Sequence, residues 1–128
     1  MAYDPGMSTR IEEFRRQREA GQQKLMGVEH LGIKRFLGLD TGAYRDHTSD
    51  GGLDAKTLEL CGLIASMVLR CDDCINYHLQ NCVEHGWTRQ QIIDGMNVGL
   101  IVGGSITIPH LRRALLILDE LIDEHGAG

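Results

Sequence analysis

Apolar residues recur at steps of three and four through the second half of the chain, and this period most constrains the fold. The predicted buried stripes are Leu58, Cys61, Ile64, Ala65, Val68 and Leu69, then Ile92, Ile93, Met96 and Leu100, and finally Leu111, Leu115, Leu118 and Ile122. Few β-branched residues alternate with polar ones, as they would in half-buried strands. The pattern therefore predicts an all-α protein, a compact bundle of five or six helices.

Capping signals divide this pattern into helices. Thr9, followed three residues later by Glu12, forms a capping-box sequence that predicts a first helix ending near Gly27. A shorter helix is expected next, and residues 38–52, rich in Gly, Asp, Thr and Ser, predict a loop. The other boundary signals are Asp54 as an N-cap, Gly86 as a C′ residue, Thr88 with Gln91 as a capping box, Gly103 and Gly104 as a stop, and Pro109 in a first turn.

The chain has 128 residues, of which 42% are hydrophobic and 24% charged, as is typical of one globular domain. We predict a single domain over residues 1–128, with a motif core at 54–118 and an N-terminal helical extension at 8–37. Arginines near residue 15 are interleaved with glutamates, which predicts a solvated helix face. The apolar runs are short and the amino terminus lacks a secretory signal, so we expect a cytoplasmic protein with reduced cysteines.

Two thiols and an imidazole stand at helical spacing between Cys71 and His78. Cys74 follows Cys71 by three residues and precedes His78 by four, so all three side chains share one helix face. A helix N-terminus and a nearby base can lower the pKa of a thiol from about 8.5 to roughly 3.5–7.5. The thiolate then attacks a peroxide oxygen, and a neighbouring cysteine converts the sulfenic acid to a disulfide. A redox pair beside a proton acceptor is the leading interpretation.

Glu59 could complete this site only if the chain turns back on itself. On one continuous helix the twelve residues between Glu59 and Cys71 would span about 18 Å. A bend near residues 68–69 would instead form an αα-hairpin and bring Glu59 to His78. Because a buried carboxylate fixes the tautomer of an imidazole and raises its basicity, His78 could then take a proton from Cys74, directly or through a water.

Other chemistries use the same residue types. Cys71, Cys74 and His78 could supply three zinc ligands, but a zinc ribbon needs a second cysteine pair, which the sequence lacks. Haem attachment needs a histidine directly after the second cysteine, where Ile75 stands. A metal site and inert structural thiols stay open beside the redox interpretation, which requires no metal and no cofactor.

A family resemblance follows from these motifs. They are Glu59, the Cys71-x-x-Cys74-x-x-x-His78 segment, Gly86-Trp87-Thr88, and the Gly103-Gly104 pair before the last helix. Together, over about half of the chain from Asp54 to Leu118, they resemble the carboxymuconolactone decarboxylase and alkylhydroperoxidase AhpD-like family. The paired thiols match its peroxidase branch. The resemblance implies hydroperoxide reduction with Cys74 as the peroxide-reactive thiol, Cys71 as the resolving thiol, and Glu59 and His78 as a proton relay.

The chain also departs from the better-known peroxidase. Asp73 stands where that enzyme has a second histidine, and a carboxylate beside Cys74 would disfavour its thiolate. The chain is shorter than the two-repeat peroxidase, so its reductant is not specified, although the resemblance suggests a lipoylated or thioredoxin-like protein. The alternatives are a muconolactone-type decarboxylase, whose branch lacks the paired thiols, and a non-enzymatic oligomer with a structural or metal-responsive C-x-x-C.

Several other side chains have simpler interpretations. Cys61 and Cys82 are expected to be buried, since a free cysteine is commonly a small core residue. His110 is expected at the surface, although the fold could bring it to the site. Trp87 is expected to pack against a helix end.

The expected partners are a hydroperoxide substrate, a thiol or dithiol reductant protein and further copies of the chain. The small Gly99 and Gly103 in an apolar segment would let another helix approach closely, which predicts a homo-oligomer, and the resemblance implies a trimer or hexamer. The formal net charge of −5, without a basic cluster, disfavours nucleic acid, and no membrane partner is expected.

Overall fold

The computed structural model describes residues 8–126, which form six α-helices, two short 3-10 helices and no β-strand. The α-helices are α1 (Arg10–Met26), α2 (Leu31–Ala43), α3 (Ala55–Leu69), α4 (Asp72–Glu84), α5 (Arg89–Gly103) and α6 (Ile108–His125). The 3-10 helices are Thr48–Asp50, before α3, and Ser105–Thr107, before α6. The predicted all-α class and the number of helices are confirmed.

The helices begin where the capping residues predicted. The side chains of Thr9 and Asp54 accept hydrogen bonds from backbone N–H groups three residues later, and so start α1 and α3. Thr88 and Gln91 form the reciprocal capping box that opens α5. Gly86, with φ at 88°, adopts the left-handed conformation that glycine tolerates just after α4.

The turn between α3 and α4 produces the predicted αα-hairpin. Arg70 ends α3 in the left-handed region at φ 59°, where non-glycine residues are uncommon. Its backbone N–H bonds to Met67, and that of Cys71 bonds to Ser66 at 3.2 Å, so the orphan carbonyls at the end of α3 are used. Cys71 is then the N-cap of α4, which places both thiols at a helix N-terminus beside the bend.

The core lies between α3, α4, α5 and α6, and α1 adds Ile11. Its fully buried aliphatic residues include Leu63, Leu79, Ile92 and Leu118, each at 0% exposure. Burial of one such side chain contributes about 1.5–3 kcal/mol, so this cluster holds the helices that position the thiols.

The predicted core stripe of α3 is wrong. Its buried residues are Glu59, Leu63, Ser66 and Met67, whereas Cys61, Ala65 and Leu69 are exposed and Leu58, Ile64 and Val68 are half-buried. An apolar period skips Glu59 and Ser66, yet both have partners: Glu59 binds His78, and Ser66 donates to the Gly62 carbonyl at 2.7 Å. A polar side chain can be buried when it has a hydrogen-bond partner. The face of α3 that packs into the core therefore differs from the face that its apolar residues predicted.

The glycines of α5 face α3 of the same chain, which corrects the reason for expecting an oligomer. A Cβ atom on Gly99 would lie 2.8 Å from Met67 Cβ, and one on Gly95 would lie 2.9 Å from Leu60 Cδ1. Close helix approach is therefore used inside the fold. Gly103 likewise faces Thr107.

The predicted loop at residues 38–52 is wrong in its first part, because α2 continues to Ala43. Local composition is a weak guide to helix length, and contacts beyond the helix override it. Tyr44, the C-cap of α2, reaches across to His78 and ties this end of the helix to the core.

The solvated face predicted for α1 is also partly wrong. Arg15 donates two hydrogen bonds to Glu124 of α6, each at 2.8 Å, and one to Gln80 of α4 at 2.9 Å. A bidentate arginine–carboxylate pair fixes geometry as well as charge. Arg15 thus attaches α1 across α4 and α6, and Arg18, one turn later, lies 4.1 Å from the Tyr77 ring centroid.

Candidate functional site

The two motif cysteines sit at the N-terminus of α4 and are joined as a disulfide, with their Cα atoms 5.3 Å apart. Cys71 is the N-cap, and its sulfur accepts a hydrogen bond from the Cys74 backbone N–H at 3.3 Å. Cys71 is half-buried and Cys74 is exposed. Because unpaired N–H groups and the helix dipole favour negative charge here, this position stabilises a thiolate when the pair is reduced.

Glu59 and His78 form a buried pair behind the thiols. The Nδ1 atom of His78 donates to Glu59 Oε2 at 2.8 Å, and the two residues are 7% and 6% exposed. The hairpin therefore brings together the two residues that the sequence had separated by a helix and a turn. Donation from Nδ1 leaves Nε2 as the acceptor nitrogen of a neutral imidazole, which is the form that can take up a proton.

Gly62 makes room for this imidazole. A Cβ atom at position 62 would lie 2.6 Å from Cε1 of His78, closer than real Cβ contacts allow. Gly62 is one turn after Glu59 on α3, so one helix supplies both the carboxylate and the space for the ring. Sequence reasoning missed Gly62, since a glycine within a helix carries no signal of what packs against it.

Tyr44 is the second residue that the sequence analysis missed. Its hydroxyl lies 3.3 Å from His78 Nε2, and the two ring centroids are 5.0 Å apart. Burial, with the nearby carboxylates of Asp40 and Glu59, raises the pKa of the Tyr44 phenol. The phenol is therefore protonated at neutral pH and donates to His78 Nε2.

A cavity of about 150 Å³ joins these groups to one thiol. Its lining residues are Arg18, Asp40, Tyr44, Asp73, Cys74, Tyr77 and His78. Cys74 thus opens on the same space as His78, whereas Cys71 is not among the lining residues. Arg18 also lines the cavity, and its positive charge opposes the negative charge of Asp73 beside the Cys74 thiol.

A second carboxylate–histidine pair flanks Cys71. Asp72 accepts hydrogen bonds from His110 Nδ1 at 2.7 Å and from Arg113 Nε at 2.8 Å, which corrects the expectation that His110 is a simple surface residue. Burial alone would raise the pKa of Asp72, but these two hydrogen bonds, together with the charges of their donors, hold the pKa below its ordinary value. The pair attaches the start of α4 to α6.

The two remaining cysteines differ sharply. Cys82 is fully buried as predicted, and burial, with Glu59 nearby, raises the pKa of its thiol to about 12. It is therefore unreactive at neutral pH. Cys61 is exposed, so its predicted burial is wrong. Trp87 packs against the core as expected, and its indole donates to the Lys56 carbonyl at 2.8 Å.

Within residues 8–126, no group of three or more His, Cys, Asp and Glu side chains is placed to hold a metal ion. Across the same described range, the helices lack the combined length and apolar character that crossing a membrane requires.

Comparison with known proteins points to one protein family. The profile of the carboxymuconolactone decarboxylase family matches residues 33–116. An uncharacterized protein of Cupriavidus necator is 28% identical over 115 residues, covering 90% of this chain and 95% of that one. An alkyl hydroperoxide reductase AhpD of Corynebacterium aurimucosum is 33% identical over 51 residues, covering 40% of this chain and 29% of that one.

Solved structures share the fold. A Thermotoga maritima protein of the same family, with a suggested involvement in the antioxidative response, superposes with a TM-score of 0.80 at 45% identity, over 91% of this chain and 97% of that one. A family protein of Legionella pneumophila gives a TM-score of 0.73 at 23% identity, over 91% of this chain and 97% of that one. Since the family profile spans more than half of the sequence, the chain belongs to the carboxymuconolactone decarboxylase family.

Proposed function

We propose that this protein is an AhpD-like thiol peroxidase that reduces hydroperoxides. The Cys74 thiolate attacks one oxygen of the peroxide, the O–O bond breaks, and the products are a Cys74 sulfenic acid and an alcohol or water. The Cys71 thiol then displaces the sulfenic hydroxyl as water, which leaves the Cys71–Cys74 disulfide. A dithiol protein returns the disulfide to two thiols and becomes oxidised in turn.

One observation carries this proposal: the thiol that lines the cavity beside His78 is Cys74, and it is paired with Cys71. An attacking thiol must be reachable and near a proton acceptor, whereas a resolving thiol need only reach the sulfenic acid. The geometry suits these roles in the order that the family resemblance implied. The small match to AhpD of Corynebacterium aurimucosum and the antioxidative link suggested for the Thermotoga maritima protein also support it.

Thiol titration tests the proposal. The reduced protein, given one equivalent of tert-butyl hydroperoxide, should lose two thiols as one alcohol forms. Cys74→Ser should consume no peroxide, and Cys71→Ser should carry a sulfenic acid on Cys74 that dimedone traps. Cys61→Ser is the matched control, because Cys61 is exposed but lies outside the cavity lining, and it should react like the wild type. Trapping on Cys71 in the Cys74→Ser protein would reverse the two roles.

The same titration separates the alternatives. A decarboxylase of a muconolactone-like acid would release carbon dioxide from its substrate without loss of thiols. A structural or metal-responsive C-x-x-C would lose thiols only slowly and without turnover by a dithiol reductant.

We also propose that the protein is a homo-oligomer, a trimer or hexamer. Several large apolar side chains on the outer faces of α2 and α5 are exposed to solvent, among them Phe36 at 66%, Leu39 at 75% and Ile101 at 75%. Such surface usually marks an interface. Light scattering at micromolar concentration should give a mass several times the 14.2 kDa of one chain, and a monomer would refute the oligomer.

A further inference from the structure

His78 has no free ring nitrogen to offer Cys74. Nδ1 donates to Glu59, and Nε2 receives the Tyr44 hydroxyl at 3.3 Å. A proton that reaches or leaves Nε2 therefore has a hydrogen bond to Tyr44 already in place. Tyr44, His78 and Cys74 line the same cavity, and the Tyr44 hydroxyl occupies the remaining ring nitrogen of His78.

We propose that Tyr44 is a catalytic residue of the peroxidase, the group that carries protons between His78 and the reacting atoms. This inference rests on the proposed function. Tyr44 takes the proton of the Cys74 thiol while it passes its own proton to His78 Nε2, which leaves a thiolate and an imidazolium bound to Glu59. When the O–O bond breaks, the alkoxide takes the Tyr44 proton, and Tyr44 recovers one from His78. The net change is thiol plus hydroperoxide to sulfenic acid plus alcohol.

The environment of Tyr44 suits both halves of this exchange. Its phenol stays protonated at neutral pH, so it can donate to an alkoxide, which is a far stronger base. The imidazolium formed in the first half gains the Glu59 carboxylate as a buried counter-charge at 2.8 Å. Proton transfer of this kind contributes typically about 10²–10⁴-fold to a rate.

The matched control is Tyr77. It lines the same cavity and its ring meets the His78 ring edge-on, with centroids 5.2 Å apart, but its hydroxyl makes no hydrogen bond to His78. Tyr44→Phe and Tyr77→Phe each remove one hydroxyl and keep the ring, so both variants should fold. Only the first should change proton transfer.

The discriminating measurement compares two oxidants in single turnovers of the reduced protein. Tert-butyl hydroperoxide releases a strongly basic alkoxide that needs a proton, whereas peracetic acid releases acetate, which does not. Tyr44→Phe should slow the first reaction at least about tenfold more than the second, and Tyr77→Phe should leave their ratio unchanged. Equal losses with both oxidants, or no loss with either, would overturn the assignment of leaving-group protonation.

Alkylation of the thiols by iodoacetamide makes the test independent of peroxide chemistry, because no leaving oxygen needs a proton. Tyr44→Phe should shift the pH profile of Cys74 alkylation upward, as removal of His78 does. If wild-type protein fails to react with either oxidant, the proposed function fails. If Tyr44→Phe leaves the pH profile of alkylation unchanged while the wild type reduces both oxidants, Tyr44 does not take the proton of the Cys74 thiol, and the proposed role fails.

Discussion

Two carboxylate–histidine pairs flank the same two cysteines, and they differ in burial and in their third partner. Glu59 and His78 are both less than a tenth exposed, and a phenol completes the pair. The side chain of Asp72 is 41% exposed, and it accepts hydrogen bonds from both His110 and Arg113. His78 of the first pair lines the thiol cavity together with Tyr44, and the second pair joins α4 to α6.

The comparison separates the pair that we expect to transfer protons from a pair with the same residue types and other surroundings. At the buried pair the neutral phenol leaves the imidazole able to accept charge, and little solvent competes. At the partly exposed pair Arg113 already balances the charge of Asp72, and water screens part of what remains. Burial and the identity of the third group therefore distinguish the two pairs, and we expect proton transfer at the first and attachment of helices at the second.

The largest expected effect tests whether only the buried pair takes part in proton transfer. His78→Ala should slow peroxide reduction at pH 7 by about 10²–10⁴-fold, because it removes the proton acceptor. His110→Ala should stay within about fivefold, since a charge pair that is partly open to solvent and shared with Arg113 contributes no more than about 1 kcal/mol. Stopped-flow rates of both variants decide the matter. Equal losses would mean that both pairs serve the chemistry.

Glu59→Gln should have the next largest effect, about 10–100-fold near neutral pH, because the amide keeps the hydrogen bond but loses the counter-charge for the imidazolium. The apparent thiol pKa should rise, and a higher pH should restore much of the rate. The pH profile of Cys74 alkylation in Glu59→Gln, His78→Ala and the double variant measures this. The two defects should not add fully, and additive losses would show separate roles.

Gly62→Ala should disturb the buried pair through space alone. The new methyl group would push the His78 ring and should cost about 1–3 kcal/mol of unfolding free energy, with slower Cys74 alkylation. Gly42→Ala in α2 is the control, because nothing lies within 4 Å of its Cβ position, and it should not slow alkylation. Urea unfolding and alkylation kinetics give both readouts. A fully active Gly62→Ala protein would show that the ring has other room.

The smallest effect concerns the partly exposed pair of Asp72 and His110. Because the folded pKa of Asp72 lies below its ordinary value, its contribution to stability is complete above about pH 5 and is lost as the pH falls through the folded pKa. The urea midpoints of wild type and Asp72→Asn should therefore differ at pH 7 and converge toward pH 2. Salt should reduce the difference at pH 7. A difference independent of pH would remove the charge from this explanation.

Much of the site was predictable because it depends on short separations along the chain. The C-x-x-C spacing places both thiols in the first turn of α4, and the N-cap residues begin their helices through bonds to N–H groups three residues away. The bend after Leu69 then made the contact between Glu59 and His78 a matter of equal distances along two antiparallel helices. These features need no knowledge of the rest of the fold.

Tertiary structure alone decided which other groups join the two carboxylate–histidine pairs and the cavity. Tyr44 is 34 residues from His78, and His110 is 38 residues from Asp72, so neither contact has a local signal. Arg18 comes from α1, which precedes the segment that the family profile matches. The period of α3 misplaced its core face for the same reason. Whether a polar side chain is buried depends on the hydrogen-bond partner that a distant helix brings to it. The periodicity of the sequence does not identify that partner.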